Sequence, residues 1–168
     1  LPAQLLGLNE AKFKRFNNLI QNKSFLNSLV TNVSFISKCV SQGKKNSVIL
    51  NYDESSENLF KWYQQLTAES LGKKNKGIFP IISSMPKDNH SLLQLYLDGP
   101  KNNFFTFFGV LNEKTNYLDN SNLFRNFSNL KNKSLSQIAQ AQRQATQIVF
   151  KKKKLPFRSI EVLKKKEE

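Results

Sequence analysis

The sequence predicts an α/β fold, a three-layer α/β/α sandwich built on a mainly parallel sheet. Two observations carry this expectation. Short β-branched and aromatic runs alternate with longer segments whose apolar residues recur at helical spacing, the pattern of parallel β-α-β units. The run Ser47-Val48-Ile49-Leu50-Asn51-Tyr52 has an apolar centre rather than alternating polarity, as suits a strand covered on both faces of a sheet.

Asn9 precedes Glu10, Phe13, Phe16, Leu19 and Ile20, which predicts a capped amphipathic helix. A second helix is expected over Leu26, Leu29, Val30, Val33, Ile36 and Val40, stopping at Gly43. After the first strand, Asp53 or Ser55 is placed to cap a helix over Ser56–Leu71 that carries Leu59, Tyr63 and Leu66, and Gly72 is a natural stop. Ile78–Ser84 is the next strand, with Pro80 arguing for an edge position or a strand end. Asp88 or Asn89 is expected to cap a helix containing Leu92, Leu93, Leu95 and Tyr96, halted by Asp98-Gly99-Pro100.

Phe104–Leu111 reads as the third strand, and residues 112–133 as a long loop with a short helical piece around Leu123–Phe127. Ser134-Leu135-Ser136-Gln137 forms a capping-box start for a helix reaching about Phe150, where Lys151–Lys154 favour the negative end of the helix dipole. Pro156 ends it, and Phe157–Leu163 is the last strand. The organisation expected is one domain over 1–168, with a helical lead-in at 1–43 and a β-α-β core at 44–168.

Composition narrows the function. The chain has 168 residues, 39% of them hydrophobic, so simple disorder is excluded, and no apolar run is long enough to span a bilayer. Cys39 is the one cysteine, and no secretory leader opens the sequence, so a reducing, cytoplasmic setting is expected. The net charge of +14 invites a nucleic-acid or anionic-membrane reading. Arg15, Arg125, Arg143 and Arg158 are the only arginines, however, and Lys and Asn abound as in an AT-rich coding sequence. With no docking motif and no interleaved basic and aromatic face, neither nucleic acid nor membrane is the expected partner.

No zinc, dinucleotide, P-loop, nucleophile-elbow or zincin pattern occurs, so the chemistry must come from isolated side chains. His90, the one histidine, falls at the expected first turn of a helix, where the dipole disfavours imidazolium and suits the ring to relaying a proton. Glu69 lies at the end of its helix, where the last carbonyls oppose a carboxylate and would make it more basic, as a general base requires. Gln65 is one turn earlier on the same helical face, able to orient that carboxylate or a ligand. A surface or capping histidine and a solvated helix end are the bland alternatives.

The segment Gln64-Gln65-Leu66-Thr67-Ala68-Glu69-Ser70-Leu71-Gly72-Lys73, followed by Lys76-Gly77-Ile78-Phe79-Pro80, then His90-Ser91 with Gln94, and Asp98-Gly99, resembles glucose-6-phosphate isomerase in its second sugar-isomerase (SIS) domain. That family carries a Glu-Ser-x-Gly-Lys motif, a Gly-Ile-x-Pro strand and a His-Ser-x-x-Gln helix in this order. A looser resemblance runs from Leu1-Pro2-Ala3 to the strand after Leu155-Pro156.

The resemblance implies an SIS-like fold and the aldose-ketose interconversion of glucose 6-phosphate and fructose 6-phosphate, in glycolysis and gluconeogenesis. Glu69 would be the base that moves the proton through an enediolate, His90 would assist ring opening, and Gln65 would contact substrate. No cofactor or metal is required. Ala68 departs from the glycine usual in bacterial members. The family's Ser/Thr-rich phosphate loop, Gly-Gly-Arg signature and late lysine do not occur among these residues, so the chain reads as truncated at both ends and inactive alone. A non-catalytic sugar-phosphate-binding module on the same fold is the alternative.

A right-handed β-α-β unit sets Glu69 near the start of the second strand and His90 beyond its end, roughly 20 Å or more apart in one chain. They would not serve one substrate together. This agrees with what the resemblance implies, a homodimer in which His90 completes the neighbouring subunit's site.

Overall fold

The computed structural model describes residues 2–5, 7, 17–111 and 133–163. The chain divides into two compact units, Leu1–Ser41 and Gln42–Glu168. The described residues of the first include the helices α1 (Pro2–Leu5), α2 (Asn17–Gln21) and α3 (Lys23–Ser41). Asn22 starts α3 by accepting the Phe25 backbone N–H at 3.1 Å on its side-chain oxygen. The expected short helical piece around Leu123–Phe127 and most of the helix expected after Asn9 lie outside the described residues.

The second unit contains the strands β1 (Asn46–Asn51), β2 (Phe79–Ser84), β3 (Asn103–Val110) and β4 (Phe157–Val162). They form one sheet in the order β2-β1-β3-β4, with every neighbouring pair parallel. The helices α4 (Glu57–Leu71), α5 (Leu93–Asp98) and α6 (Leu135–Lys152) supply the crossovers.

Alternation along the two central strands sorts the core into two layers. Val48 and Leu50 join Phe105 and Phe107 on one face, where they pack with Tyr96 of α5 and Phe150 of α6. Ile49 and Phe108 point the other way and meet Phe60 of α4. With both faces covered, β1 is buried from Ser47 through Asn51, which is why its sequence is continuously rather than alternately apolar. The three-layer α/β/α arrangement expected from the sequence is therefore present.

The aromatic layer is tight. The Phe150 ring meets Phe105 edge-on at 4.8 Å and Phe107 at 5.2 Å between centroids. The Pro80 expectation also holds, since β2 is an edge strand and Pro80 pairs in register with Ser47. The capping box at Ser134 forms in both directions, the Ser134 hydroxyl accepting from the Gln137 N–H and the Gln137 side chain accepting from the Ser134 N–H.

Two expectations are corrected. The chain does not enter a helix at Asp88 or Asn89; Lys87–Asn89 is a 3-10 turn and α5 begins at Leu93. The Asp88 carboxylate is turned back to accept the Ser84 N–H at 2.9 Å, so it is not available to cap forward, and its carbonyl takes the Ser91 and Leu92 N–H groups. Similarly, Glu54–Ser56 is a 3-10 turn and Ser56 is the residue that precedes α4, while the Asp53 carboxylate engages the Ser55 and Ser56 hydroxyls.

Candidate functional site

Helix α4 carries two of the three residues singled out in the sequence. Its inner face is set by Phe60 and Thr67, both buried, with Tyr63 half-buried against the Ile49–Phe108 layer. Gln65 and Glu69 are consequently left on the solvent side, both exposed. There the Gln65 amide donates to Oε1 of Glu69 at 3.0 Å, across one helical turn. This engages one carboxylate oxygen and leaves the other available to a ligand.

The helix is anchored just before this pair. Gln64 reaches from α4 to the sheet and donates to the Pro80 carbonyl at 2.8 Å, at the start of β2. Just after it, the Gly72 N–H closes the last turn on the Ala68 carbonyl at 3.0 Å. A Cβ at position 72 would fall 2.6 Å from that same carbonyl oxygen, which gives the glycine of the Glu-Ser-x-Gly-Lys stretch a steric reason. Glu69 thus stands on a turn fixed from both sides.

His90 is elsewhere. It is exposed, follows the 3-10 turn, and donates its backbone N–H to the Lys87 carbonyl at 3.4 Å. Because it precedes α5 by three residues, the expected helix-dipole effect on its ring has no α-helical first turn to act through. Helix α4 runs against β2, so Glu69 lies past the amino end of that strand, whereas His90 follows the carboxyl end. Strand and helix rises set the two about 20 Å apart. The structure therefore brings Gln65 and Glu69 together and leaves His90 apart.

Sequence reasoning missed a concavity at the opposite edge of the sheet from the Gln65–Glu69 pair. There the loop after β1, the end of β3 and the first turns of α6 enclose a cavity of about 600 Å³ that includes Asp53 and Arg143. Arg143 is fully buried, and its Nη1 pairs with Glu161 Oε1 at 2.9 Å. An arginine inside an otherwise amphipathic helix offered no spacing signal; only the strand order, which reverses direction beside β1, points to this place.

Among the described residues no group of three or more His, Cys, Asp or Glu side chains converges as a metal site would need, and no helix is long and apolar enough to cross a membrane.

Fold and pair together define an α/β unit with a parallel sheet, bearing an exposed carboxylate oriented by an amide at a helix end. The solved structure of a hypothetical protein from Thermus thermophilus has the same fold, with a TM-score of 0.67 and 22% identity over 76% of this chain and 32% of that one. Sequence similarity then gives the family. The chain is 35% identical over 161 residues to the glucose-6-phosphate isomerase of Methanocaldococcus jannaschii, a match that covers 92% of the chain. It is 34% identical over 113 residues to the glucose-6-phosphate isomerase of Campylobacter jejuni, and 45% identical over 65 residues to a probable glucose-6-phosphate isomerase of Haloquadratum walsbyi.

By this similarity the chain belongs to the glucose-6-phosphate isomerase family. It spans 39% of the length of the Methanocaldococcus relative and 28% of the Campylobacter one. The chain matches no protein-family model.

Proposed function

We propose that the chain is the part of a glucose-6-phosphate isomerase that carries the catalytic base, and that the whole enzyme interconverts glucose 6-phosphate and fructose 6-phosphate. The observation that carries this reading is the Gln65–Glu69 pair, hydrogen-bonded on an exposed helix end within a segment that matches the family. The Glu69 carboxylate takes the proton from the second carbon of the open-chain aldose, which gives the enediolate, and returns it to the first carbon, which gives the ketose. A proton moves from the second carbon to the first while the hydroxyl proton passes from the second oxygen to the first, so no electrons are gained or lost and the step needs no redox cofactor.

Gln65 holds one oxygen of the base and keeps the other aimed at substrate. His90 assists opening of the sugar ring; with about 20 Å between it and Glu69 in one chain, it acts in the site of a second subunit, so the enzyme is a homodimer. The fold is read as a single SIS-like domain, 1–168, with 1–43 as its lead-in, in a cytoplasmic enzyme of glycolysis and gluconeogenesis. The isolated chain is inactive for want of the phosphate-holding loop.

The test is Glu69→Gln in the full-length isomerase that contains this segment. Turnover falls by about a thousandfold or more while sugar-phosphate binding persists. Unchanged turnover would overturn the reading and leave a non-catalytic sugar-phosphate-binding module. Mixing Glu69→Gln with His90→Gln subunits restores activity if the two residues act across subunits, and leaves none if they act within one.

A further inference from the structure

We propose that the cavity at the carboxyl edge of the sheet is a separate ligand site, and that it takes a phosphate-free polyhydroxylated molecule such as a free sugar or sugar alcohol. The topology makes the cavity. From β1 the chain crosses to β2 on one side, while β3 pairs on the other, so the loops leaving β1 and β3 part and open a crevice between them. Its volume, about 600 Å³, is ample for a small ligand and lies within the usual range for such sites. Glu69 is at the opposite edge, beyond the amino end of β2, so this crevice is independent of the proposed catalytic base.

The lining decides the chemistry. Asp53 and Glu54 bring carboxylates, Gln142 brings an amide, Gln140 brings an amide oxygen while its nitrogen donates to the Val110 and Leu111 carbonyls, and Arg143 is the one cation among the described lining residues. Arg143 is already neutralised by Glu161, with Nη1 to Oε1 at 2.9 Å. The wall is thus net negative and repels a phosphate, yet it supplies acceptors and donors side by side, which is what a hydroxyl group, itself both donor and acceptor, requires. Met85, Val110, Leu135 and Ile138 add an apolar wall against which the C–H face of a sugar can lie.

One donor is unserved. Nε of Arg143 is buried with no hydrogen-bond partner, packed against Gly109, where a Cβ would come within 3.1 Å of it. A small shift of the guanidinium would let a hydroxyl oxygen seated over Gly109 supply the acceptor that the described residues lack. The loop on the other side is preorganised, since Asn51 Oδ1 accepts the Asp53 N–H at 3.0 Å and the Asp53 carboxylate holds the Ser55 and Ser56 hydroxyls.

The experiment is ligand-detected NMR and titration calorimetry on the full 168-residue chain with D-glucose, D-sorbitol and glucose 6-phosphate, its fold checked by circular dichroism. Glucose or sorbitol binds, and glucose 6-phosphate binds at least about tenfold more weakly because of the carboxylates. Ala139→Phe, which fills the cavity from α6, weakens polyol binding by at least about tenfold, and Ser136→Tyr does the same should the first variant not fold. Glu69→Gln leaves polyol binding unchanged. The proposal is overturned if neither polyol binds the folded chain, if a folded plugging variant binds as before, or if binding is lost with Glu69→Gln, which would assign it to the catalytic region instead. None of these outcomes bears on isomerase turnover.

Discussion

The Gln65 side-chain amide donates to the Glu69 carboxylate at 3.0 Å, and the two residues share the outer face of one helix. A neutral amide steers a carboxylate without neutralising it, so it can fix the direction of a base while leaving its charge available for proton abstraction. An arginine or lysine in that place would hold the carboxylate too, but would make it a weaker base.

Gln65→Leu should therefore lower kcat by about tenfold to a hundredfold in the full-length isomerase that carries this segment, with a smaller effect on KM. Gln65→Glu should lower kcat further, because a second carboxylate one turn away repels Glu69 instead of steering it. The split between kcat and KM reads the role: a raised KM with kcat unchanged would mean that Gln65 only contacts substrate.

Phe150 is the joint of the α6 layer, with edge-on contacts to Phe105, Phe107 and Phe157 at 4.8, 5.2 and 6.3 Å. Phe150→Ala empties a fully buried position and should cost about 3–5 kcal/mol of stability, whereas Phe150→Leu keeps most of the volume and should cost less than half as much. Urea unfolding of the chain reads both. A shift of midpoint at constant slope identifies cavity formation; a changed slope would show that the native packing itself had altered.

These cases show which parts of the molecule were legible beforehand. The strands were, because β1 and β3 carry apolar residues at successive positions, as a doubly covered sheet requires, and Pro80 marked β2 as an edge. The start of α6 was also legible, since Ser134 and Gln137 have the spacing of a reciprocal cap. The turn at Asp88 was not. An Asp or Asn just ahead of an apolar helical run reads as a forward cap, and nothing local reveals that Ser84, at the end of a strand, claims the Asp88 carboxylate first. Of the site, the pairing of Gln65 with Glu69 follows from helical periodicity alone, and the separation of His90 from strand length. The crevice around Arg143 was invisible because it is made by strand order, and the Arg143 partner Glu161 comes from β4 rather than from the same helix.

At the amino edge of the sheet Lys153 Nζ meets Asp98 Oδ1 at 2.5 Å. The hydrogen bond from Lys153 holds the Asp98 carboxyl below its ordinary pKa, with the charges of Lys153 and Lys101 acting in the same direction and partial loss of water against it. A carboxylate whose pKa is lowered by folding stabilises the native state above its unfolded pKa, near 3.9, and ceases to do so as pH falls through the lowered value. Lys153→Met should therefore lower Tm slightly at pH 6, with the difference from the parent closing as the pH is taken down to about 2. Both groups are exposed, so added salt should shrink the difference at pH 6 as well; a difference that grew toward acid pH would refute the assignment.

Arg143 gives the sharpest stability test because its guanidinium is 2% exposed and its carboxylate partner is 44% exposed. Removing the partner by Glu161→Ala strands a buried charge, with only the weaker contact to the Ser159 hydroxyl at 3.4 Å left on Nη1. The exposure of Glu161 tempers the loss, which should come to about 1–3 kcal/mol. Removing the charge as well should restore stability: in Arg143→Met combined with Glu161→Ala, the thioether side chain packs against Gly109 and no charge remains to be hydrated. A double-mutant cycle by urea unfolding measures the coupling. A neutral Glu161→Ala would mean that water in the adjoining crevice already solvates the guanidinium, and a double variant no more stable than the single one would mean that Arg143 supports the chain through its packed methylenes rather than through its charge.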